Sequence, residues 1–147
     1  MLRLFTVVPL LAVPVALYNV IALAGSSLAD PYYVVSQMDA VLLTIPMASG
    51  ATWIVTPSHA LTAITLLMLF FELLKSTGTG KAAVLNHAFS MVLFIVCLVE
   101  FLLFGAFATS VFFLIMLMTL LDTLAGFLVT IAAARRDIGV GGAAFAD

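Results

Sequence analysis

The sequence predicts an all-α integral membrane protein, a bundle of four transmembrane helices with a small β-hairpin in the outer loop between helices 1 and 2. Three observations predict this class: the composition, four long apolar stretches, and the placement of the basic residues. Of the 147 residues, 65% are hydrophobic and 8% are charged, whereas soluble domains carry about 25% charged residues. So few charged side chains cannot cover a water-facing surface, and the length suits one membrane domain.

Four stretches approach or exceed the length of about 20 apolar residues that a membrane-spanning helix needs. The predicted segments are spans at 4–24, 58–74, 82–107 and 108–134, an outer loop at 25–57, a cytoplasmic turn at 75–81 and a tail at 135–147. The last two predicted spans follow each other directly, and residues 105–110 (GAFATS) contain the only plausible turn between them. We therefore expect a tight helical hairpin there, with Thr109 or Ser110 capping the fourth helix.

The basic residues all fall on one side of this four-span topology. They are Arg3, Lys75, Lys81, Arg135 and Arg136. The outer loop contains Asp30 and Asp39 but no Lys or Arg. Because cytoplasmic loops carry the excess of Lys and Arg, both termini and the 75–81 turn are predicted to be cytoplasmic, with the outer loop on the periplasmic or extracellular side.

The N-terminus also has the outline of a signal peptide. Arg3 precedes an apolar run, and Ala22-Leu23-Ala24 resembles a small-residue cleavage site. However, the apolar run covers about 20 residues, whereas the hydrophobic region of a signal peptide covers about 7–15. We therefore favour a first membrane span, in which Tyr18 suits the interfacial aromatic belt.

The outer loop contains a β-hairpin signal. Residues 41–47 (VLLTIPM) and 52–56 (TWIVT) are rich in β-branched and aromatic residues, and they flank the tip ASGA with Gly50 at a turn position. Pro46 favours an edge strand. Residues 32–35 (YYVV) also have strand composition. The hairpin is interpreted either as a docking surface for a partner or as a lid on the bundle.

Polar residues inside the spans are the candidate intramembrane sites, because each ionisable group there costs roughly 2.5–3.5 kcal/mol at the centre of a helix. The candidates are Asn19, Glu72, His87, Glu100 and Asp122. At a rise of about 1.5 Å per residue, Asn19 lies at the depth of Glu100, so we expect these two residues to pair. Glu72 lies at the depth of His87, so we expect Glu72 to pair with His87 or Lys75.

Two helical stripes carry most of this polarity. Asp122 shares one stripe with Thr119, Thr123, Gly126 and Thr130, and Asn86, Ser90, Cys97 and Glu100 lie on one face of the third span. Small and polar faces of membrane helices usually pack against other helices. The titratable groups are interpreted either as a ladder for protons or ions or, as we favour, as hydrogen-bonded groups that hold the helices in register.

Several function classes are disfavoured by the residues themselves. The chain has five basic residues, too few for nucleic-acid binding, and its single cysteine cannot form an internal disulfide. His59 and His87 lie at opposite membrane faces and cannot ligate one haem iron together. No group of His, Cys and carboxylate residues has metal-ligand spacing, and Ser, His and Asp do not meet at one depth. No catalytic residue, cofactor or metal is predicted, and we expect a protein that is not an enzyme.

Three segments carry a family resemblance. FFELLKSTGTGKAAVLNH, VEFLLFGAFATSVFFLIMLMTLLDTLAGF and AARRDIG, with the hairpin tip SGATW, resemble a family of small uncharacterised four-span inner-membrane proteins of Gram-negative bacteria. The resemblance covers nearly the whole chain and implies a bacterial inner-membrane location with the same four-span topology. It implies no activity.

The functional expectation follows from these exclusions and from the packing faces. We expect a non-catalytic accessory or assembly subunit of a larger membrane complex, whose partners are lipids and other membrane subunits or further copies of itself. The alternative is a small homo-oligomeric proton- or ion-coupled transporter or channel that uses Glu100 and Asp122.

Overall fold

The computed structural model describes residues 7–25, 27–75 and 81–143, and for residues 81 and 133–143 it describes the backbone alone. The elements in chain order are helix α1 (Ala12–Leu23), helix α2 (Tyr32–Met38), strands β1 (Leu43–Pro46) and β2 (Thr52–Val55), helix α3 (Pro57–Lys75), helix α4 (Lys81–Leu103), a 3-10 turn (Gly105–Phe107) and helix α5 (Ser110–Ala143). The predictions for Arg3, for the 76–80 part of the turn and for residues 144–147 lie outside the described residues.

Three of the described helices are long and apolar enough to cross a membrane. They are Pro57–Lys75, Ala82–Leu103 and, within α5, Ser110–Ala132. Helix α5 is the centre of the arrangement, because α1, α3 and α4 all pack against it. The mainly helical class and the two-stranded sheet are therefore confirmed, and the three long apolar helices fit a membrane protein.

The first predicted span is represented by a shorter helix. Helix α1 has 12 residues and measures about 18 Å along its axis, whereas the hydrocarbon core of a bilayer is about 30 Å thick. The chain before it forms tight turns, with Ala12 N donating to Pro9 O at 3.1 Å and Val13 N to Leu10 O at 3.0 Å. Pro9 therefore precedes the helix instead of bending it, and Pro14 lies in its first turn.

The four helices α1, α3, α4 and α5 alternate in direction. The start of α1 contacts the end of α3, since Leu10 N donates to Glu72 at 2.8 Å. Farther along α1, the Tyr18 hydroxyl contacts Ala106 O, in the turn that joins α4 to α5, at 3.1 Å. We call the end that contains this turn, α2 and the sheet the hairpin end, and the end near Leu10 and Glu72 the far end.

Aromatic side chains fill the core at the hairpin end. The Tyr18 ring lies 4.7 Å from Phe112 and 5.6 Å from Phe107, measured between ring centroids, and all three side chains are buried. The Tyr18 hydroxyl is 2.5 Å from the Thr109 hydroxyl, which accepts a hydrogen bond from Phe112 N at 3.2 Å. Thr109 thus caps α5, one of the two capping residues predicted.

The YYVV segment of the outer loop is helical, so the strand expected there is wrong. Asp30 Oδ1 accepts a hydrogen bond from Tyr32 N at 2.9 Å, which satisfies a donor at the start of the helix, and Pro31 is favourable in a first turn. Val34 and Met38, one helical turn apart, are both buried. Local capping and the burial of one helical face outweigh β-propensity here.

The hairpin forms where it was predicted. Strands β1 and β2 pair antiparallel with Leu43 opposite Val55 and Ile45 opposite Trp53. Gly50 has φ +83° at the tip, a conformation that glycine adopts without strain. Because the sheet has two strands only, Pro46 lies in an edge strand as expected.

Candidate functional site

The far half of the bundle buries an unusual number of polar side chains between α3, α4 and α5. Glu72, Asn86, Ser90, Thr119 and Asp122 are each no more than 1% exposed. Burial of this kind is costly in hydrocarbon, so each group is expected to have a partner or a role. The structure divides these groups into a paired set around Glu72 and an unpaired set around Asp122.

Glu72 is fully paired. Its Oε1 accepts from Asn86 Nδ2 at 2.5 Å and forms an ion pair with Lys75 Nζ at 2.8 Å, while its Oε2 accepts from Leu10 N. Lys75 Nζ also donates to Val8 O at 3.0 Å. The Leu10 amide lies before α1, where backbone N–H groups have no partner within the helix. Glu72 therefore joins the start of α1, the end of α3 and α4.

Glu100 is paired across α1 and α4. Asn19 Nδ2 donates to Glu100 Oε2 at 3.2 Å and to Val15 O at 3.1 Å. The pairing predicted from depth is therefore confirmed. It stabilises the contact between two helices of the same chain.

The second set is unpaired. We define the far-end polar cluster as Asn86, His87, Ser90 and Asp122. Both Asp122 carboxylate oxygens, Asn86 Oδ1, Ser90 Oγ and both His87 ring nitrogens are buried without a hydrogen-bond partner among the described residues. Native structures contain few such atoms, so a group of them at one place calls for an explanation.

Asp122 is the centre of this cluster. The hydroxyl of Ser90 lies next to its carboxylate, although the contact does not meet strict hydrogen-bond geometry, and Glu72, Lys75 and His87 are the ionisable side chains around it. Asp122 faces other helices of its own chain and is 0% exposed. The structure therefore places it inside the bundle and away from the lipid-facing surface.

Helical spacing explains why these groups meet. Asn86 and Ser90 are four residues apart on α4, and Asp122 and Gly126 are four apart on α5, so each pair occupies one helix face. Gly126 permits a close approach: a Cβ atom at that position would overlap three atoms of the His87 ring. The small residue of the predicted stripe thus makes room for the imidazole.

Neighbouring hydroxyls do not satisfy the cluster. The Thr119 hydroxyl donates to Met116 O at 2.7 Å, and the Thr123 hydroxyl donates to Thr119 O at 2.9 Å. Both donors are therefore used within α5. The Asn86 amide donor is used on Glu72, which leaves its carbonyl oxygen as an acceptor facing the cluster.

The predicted site residues therefore form three groups rather than one ladder. Asn19 and Glu100 pair with each other, and Glu72 pairs with Lys75 as one of its two expected partners. Of the two alternatives for Glu72, Lys75 is therefore the one observed, and the partner from α4 is Asn86 and not His87. Sequence reasoning placed Asn86 and Ser90 on the correct face without identifying either as a neighbour of a carboxylate.

A pocket of about 310 Å³ lies at the hairpin end, between α2 and the start of α5. Its lining residues are Pro31, Val35, Met38, Asp39, Ala108, Thr109, Ser110 and Val111. Thr109 already bonds to Tyr18 and to Phe112 N. The pocket therefore has fewer uncommitted buried polar atoms than the far-end polar cluster, and it is the weaker candidate.

The donor types limit the chemistry available. Within the described parts of the chain, no three His, Cys, Asp or Glu side chains are grouped so that they could hold a metal ion. Cys97 is buried and not in a disulfide. The far-end polar cluster offers mainly oxygen acceptors in the buried interior of the bundle, a set suited to a proton or a small hard cation.

Comparisons with known proteins identify no relative: no family model, curated protein or solved structure matches the chain. The resemblance to small four-span inner-membrane proteins therefore stays a prediction. The contacts and burial of the described residues are therefore the basis for a function.

Proposed function

We propose that the protein is a non-catalytic accessory or assembly subunit of a larger complex in a bacterial inner membrane, and that its hairpin docks on a neighbouring membrane protein. The observation that carries this proposal is the exposure of the hairpin. Leu43 is 55% exposed and Trp53 is 50% exposed. Side chains of this size are depleted from water-facing surfaces unless they meet a partner.

The hairpin has two chemically different faces. The cross-strand pairs Leu43–Val55 and Ile45–Trp53 place four apolar side chains on one face, because successive side chains of a strand alternate. The other face is more polar, with Thr44 and Thr52 beside Pro46 and Ile54. Residues 41–56 contain no charged side chain, so an apolar partner surface suits this face.

The bundle supports a scaffold role. Glu72 and Glu100 are two of the three carboxylates of the ladder considered from the sequence, the third being Asp122, and both are hydrogen-bonded to side chains of this same chain. Such bonds hold helices in register. They favour a structural role for these two residues over a ladder for ions.

The test is gentle detergent extraction of the native protein followed by native mass spectrometry. Co-migration with a defined heteromeric complex is expected for the wild type. Trp53→Ser, on the apolar face, is expected to lose the partner. Ile54→Ser is the matched control, because Ile54 is 47% exposed on the opposite face of the same strand.

Two outcomes would contradict the proposal. A protein that migrates only as a monomer or as a homo-oligomer has no heteromeric partner. Equal loss of the complex in Trp53→Ser and Ile54→Ser would mean that the apolar face is not the docking surface.

The proposed topology has four spans, with α1 and the residues before it forming the first and both termini in the cytoplasm. Alkaline phosphatase fusions test it, because the enzyme is active only after export. A fusion after residue 147 is expected to be inactive and one inserted at Ser49 active. An active C-terminal fusion would contradict the orientation.

A second candidate function is ion- or proton-coupled transport by a homo-oligomer. One specific observation favours it: Asp122 is buried in the bundle without a hydrogen-bond partner among the described residues. Flux into proteoliposomes in response to a sodium or pH gradient tests this candidate. Loss of flux in Asp122→Asn, with flux retained in Glu100→Gln, is the expected result if it transports.

A further inference from the structure

We infer that the far-end polar cluster binds one monovalent cation at its oxygen atoms, either sodium or a proton. The site lies between α4 and α5, next to α3, and its proposed ligands are Asp122, Asn86 and Ser90. This inference goes beyond the accessory role and does not depend on it, because a buried cation can stabilise a subunit that transports nothing.

The unpartnered atoms are mainly acceptors. Asp122 contributes two carboxylate oxygens and Asn86 contributes Oδ1, whereas Ser90 contributes a hydroxyl that can donate once. The nearby Thr119 and Thr123 hydroxyls donate to carbonyls of their own helix. Acceptors therefore outnumber donors, and the group that satisfies them is one that carries positive charge or hydrogen-bond donors.

The charge balance leads to the same result. Glu72 has Lys75 as its counterion at 2.8 Å, and within the described residues no ion pair involves Asp122. A buried ionised carboxylate without a counterion is very costly, more so in a membrane than in water-soluble proteins. One positive charge next to Asp122 removes this cost.

The ligand set favours a monovalent ion. Sites for Ca²⁺ combine several carboxylates with carbonyl oxygens, whereas this cluster has a single carboxylate, Asp122, beside an amide oxygen and a hydroxyl. One negative charge matches one positive charge. A proton bound to Asp122 removes the same negative charge and leaves one hydroxyl that can donate to Asn86 Oδ1 or Ser90 Oγ, so the two cations compete for one carboxylate.

The His87 side chain borders the proposed site. Its ring lies against Gly126 with neither nitrogen bonded. Glu72 and Lys75 of α3 are the other ionisable side chains near Asp122, and they form an ion pair with each other. His87 is thus the one basic side chain of the cluster, and a positive charge on its ring would take the place of the bound cation.

The sodium experiment uses the full-length protein in lipid nanodiscs. Thermal unfolding is compared in sodium chloride and in choline chloride at equal ionic strength and pH. A sodium concentration about a hundredfold above Kd is expected to raise the wild-type unfolding temperature by roughly 5–10 °C. Asp122→Asn is expected to lose this shift, and Glu100→Gln, outside the cluster, is expected to keep it.

The proton experiment distinguishes the second source. In choline chloride, infrared difference spectra of wild type minus Asp122→Asn are recorded across pH. A protonated-carboxyl band that is absent in Asp122→Asn, with no sodium shift, assigns the site to the proton. If Asp122→Asn does not fold, Ser90→Ala replaces it in both experiments. This variant keeps the Asp122 carboxylate, and it is expected to weaken the response to sodium or to protons about tenfold or less.

Two results would overturn the inference. In the first, sodium and choline give identical unfolding curves and no Asp122 carboxyl band is present at neutral pH, where an ordinary aspartate is ionised. In the second, the pH response persists in Asp122→Asn and is lost in His87→Gln. The imidazole would then be the titrating group, and no cation would bind to the oxygens.

Discussion

Polar side chains are buried both at the hairpin end and in the far-end polar cluster. Those at the hairpin end are hydrogen-bonded to one another, whereas most of those in the cluster are not. At the hairpin end, Tyr18 bonds to Ala106 O and Thr109, and Thr109 in turn accepts from Phe112 N. At the far end, the Ser90 hydroxyl and the Asp122 carboxylate have no hydrogen-bond partner among the described residues. The same class of group is paired in one place and unpaired in the other.

This difference distinguishes buried polar groups that stabilise the fold from buried polar groups that are available to bind a ligand. Completing a hydrogen bond on burial yields a modest gain, whereas leaving a buried polar atom unpaired costs about 1–3 kcal/mol. The Tyr18 network therefore stabilises the fold by itself. The Asp122 cluster carries a cost that the protein alone does not offset, and a bound cation supplies the missing partner.

The first prediction concerns Tyr18 and has the largest expected effect. Tyr18→Ala removes a buried ring from the cluster with Phe107 and Phe112, and it is expected to lower the free energy of unfolding by about 3–5 kcal/mol. Tyr18→Phe keeps the ring and loses both hydroxyl contacts, so it is expected to lower it by about 1–3 kcal/mol. Denaturant titration in detergent micelles measures both. Equal losses in the two variants would contradict a paired hydroxyl network.

The second prediction compares two glycines. A Cβ at Gly105 would overlap the carbonyl oxygen of Ala29, which is backbone, whereas a Cβ at Gly126 would overlap the side chain of His87. Gly105→Ala is expected to destabilise by about 1–3 kcal/mol, because the backbone must move. Gly126→Ala is expected to cost less, because no hydrogen bond holds the His87 ring in place. The measurement is the unfolding midpoint of each variant.

The same pair also gives a functional contrast. Gly126→Ala displaces His87 beside Asp122, whereas Gly105→Ala leaves the far end untouched. A change in the sodium or pH response is therefore expected for Gly126→Ala only. A larger loss of stability in Gly126→Ala than in Gly105→Ala would mean that the His87 ring is held firmly.

Sequence reasoning identified features set by distance along a helix. The pairing of Asn19 with Glu100 followed from a fixed rise per residue, and the hairpin tip followed from the glycine that its turn requires. It could not identify the residue of α4 that contacts Glu72, because this depends on the direction in which a side chain leaves the helix. Asn86 and His87 lie at almost the same depth, but their side chains leave α4 about 100° apart, so depth could not tell which of them meets Glu72.

Two other errors came from tertiary context. The β-propensity of residues 32–35 was outweighed by capping at Asp30 and by the burial of Val34 and Met38. Tyr18 was expected in an interfacial aromatic belt, whereas it is fully buried in the aromatic core. A tyrosine near a span end suits both positions, and only its neighbours in three dimensions distinguish them. Whether polar atoms are paired is likewise invisible in the sequence.

The third prediction has the smallest expected effect and is the most direct test of the comparison. Ser90→Ala removes a buried hydroxyl without a partner in strict geometry, so in choline chloride it is expected to change the free energy of unfolding by less than about 0.5 kcal/mol or to stabilise slightly. Tyr18→Phe is the matched control, since it also removes one buried hydroxyl. A loss for Ser90→Ala as large as that for Tyr18→Phe would mean that Ser90 is bonded to Asp122, and the two ends of the bundle would then bury polar groups in the same way.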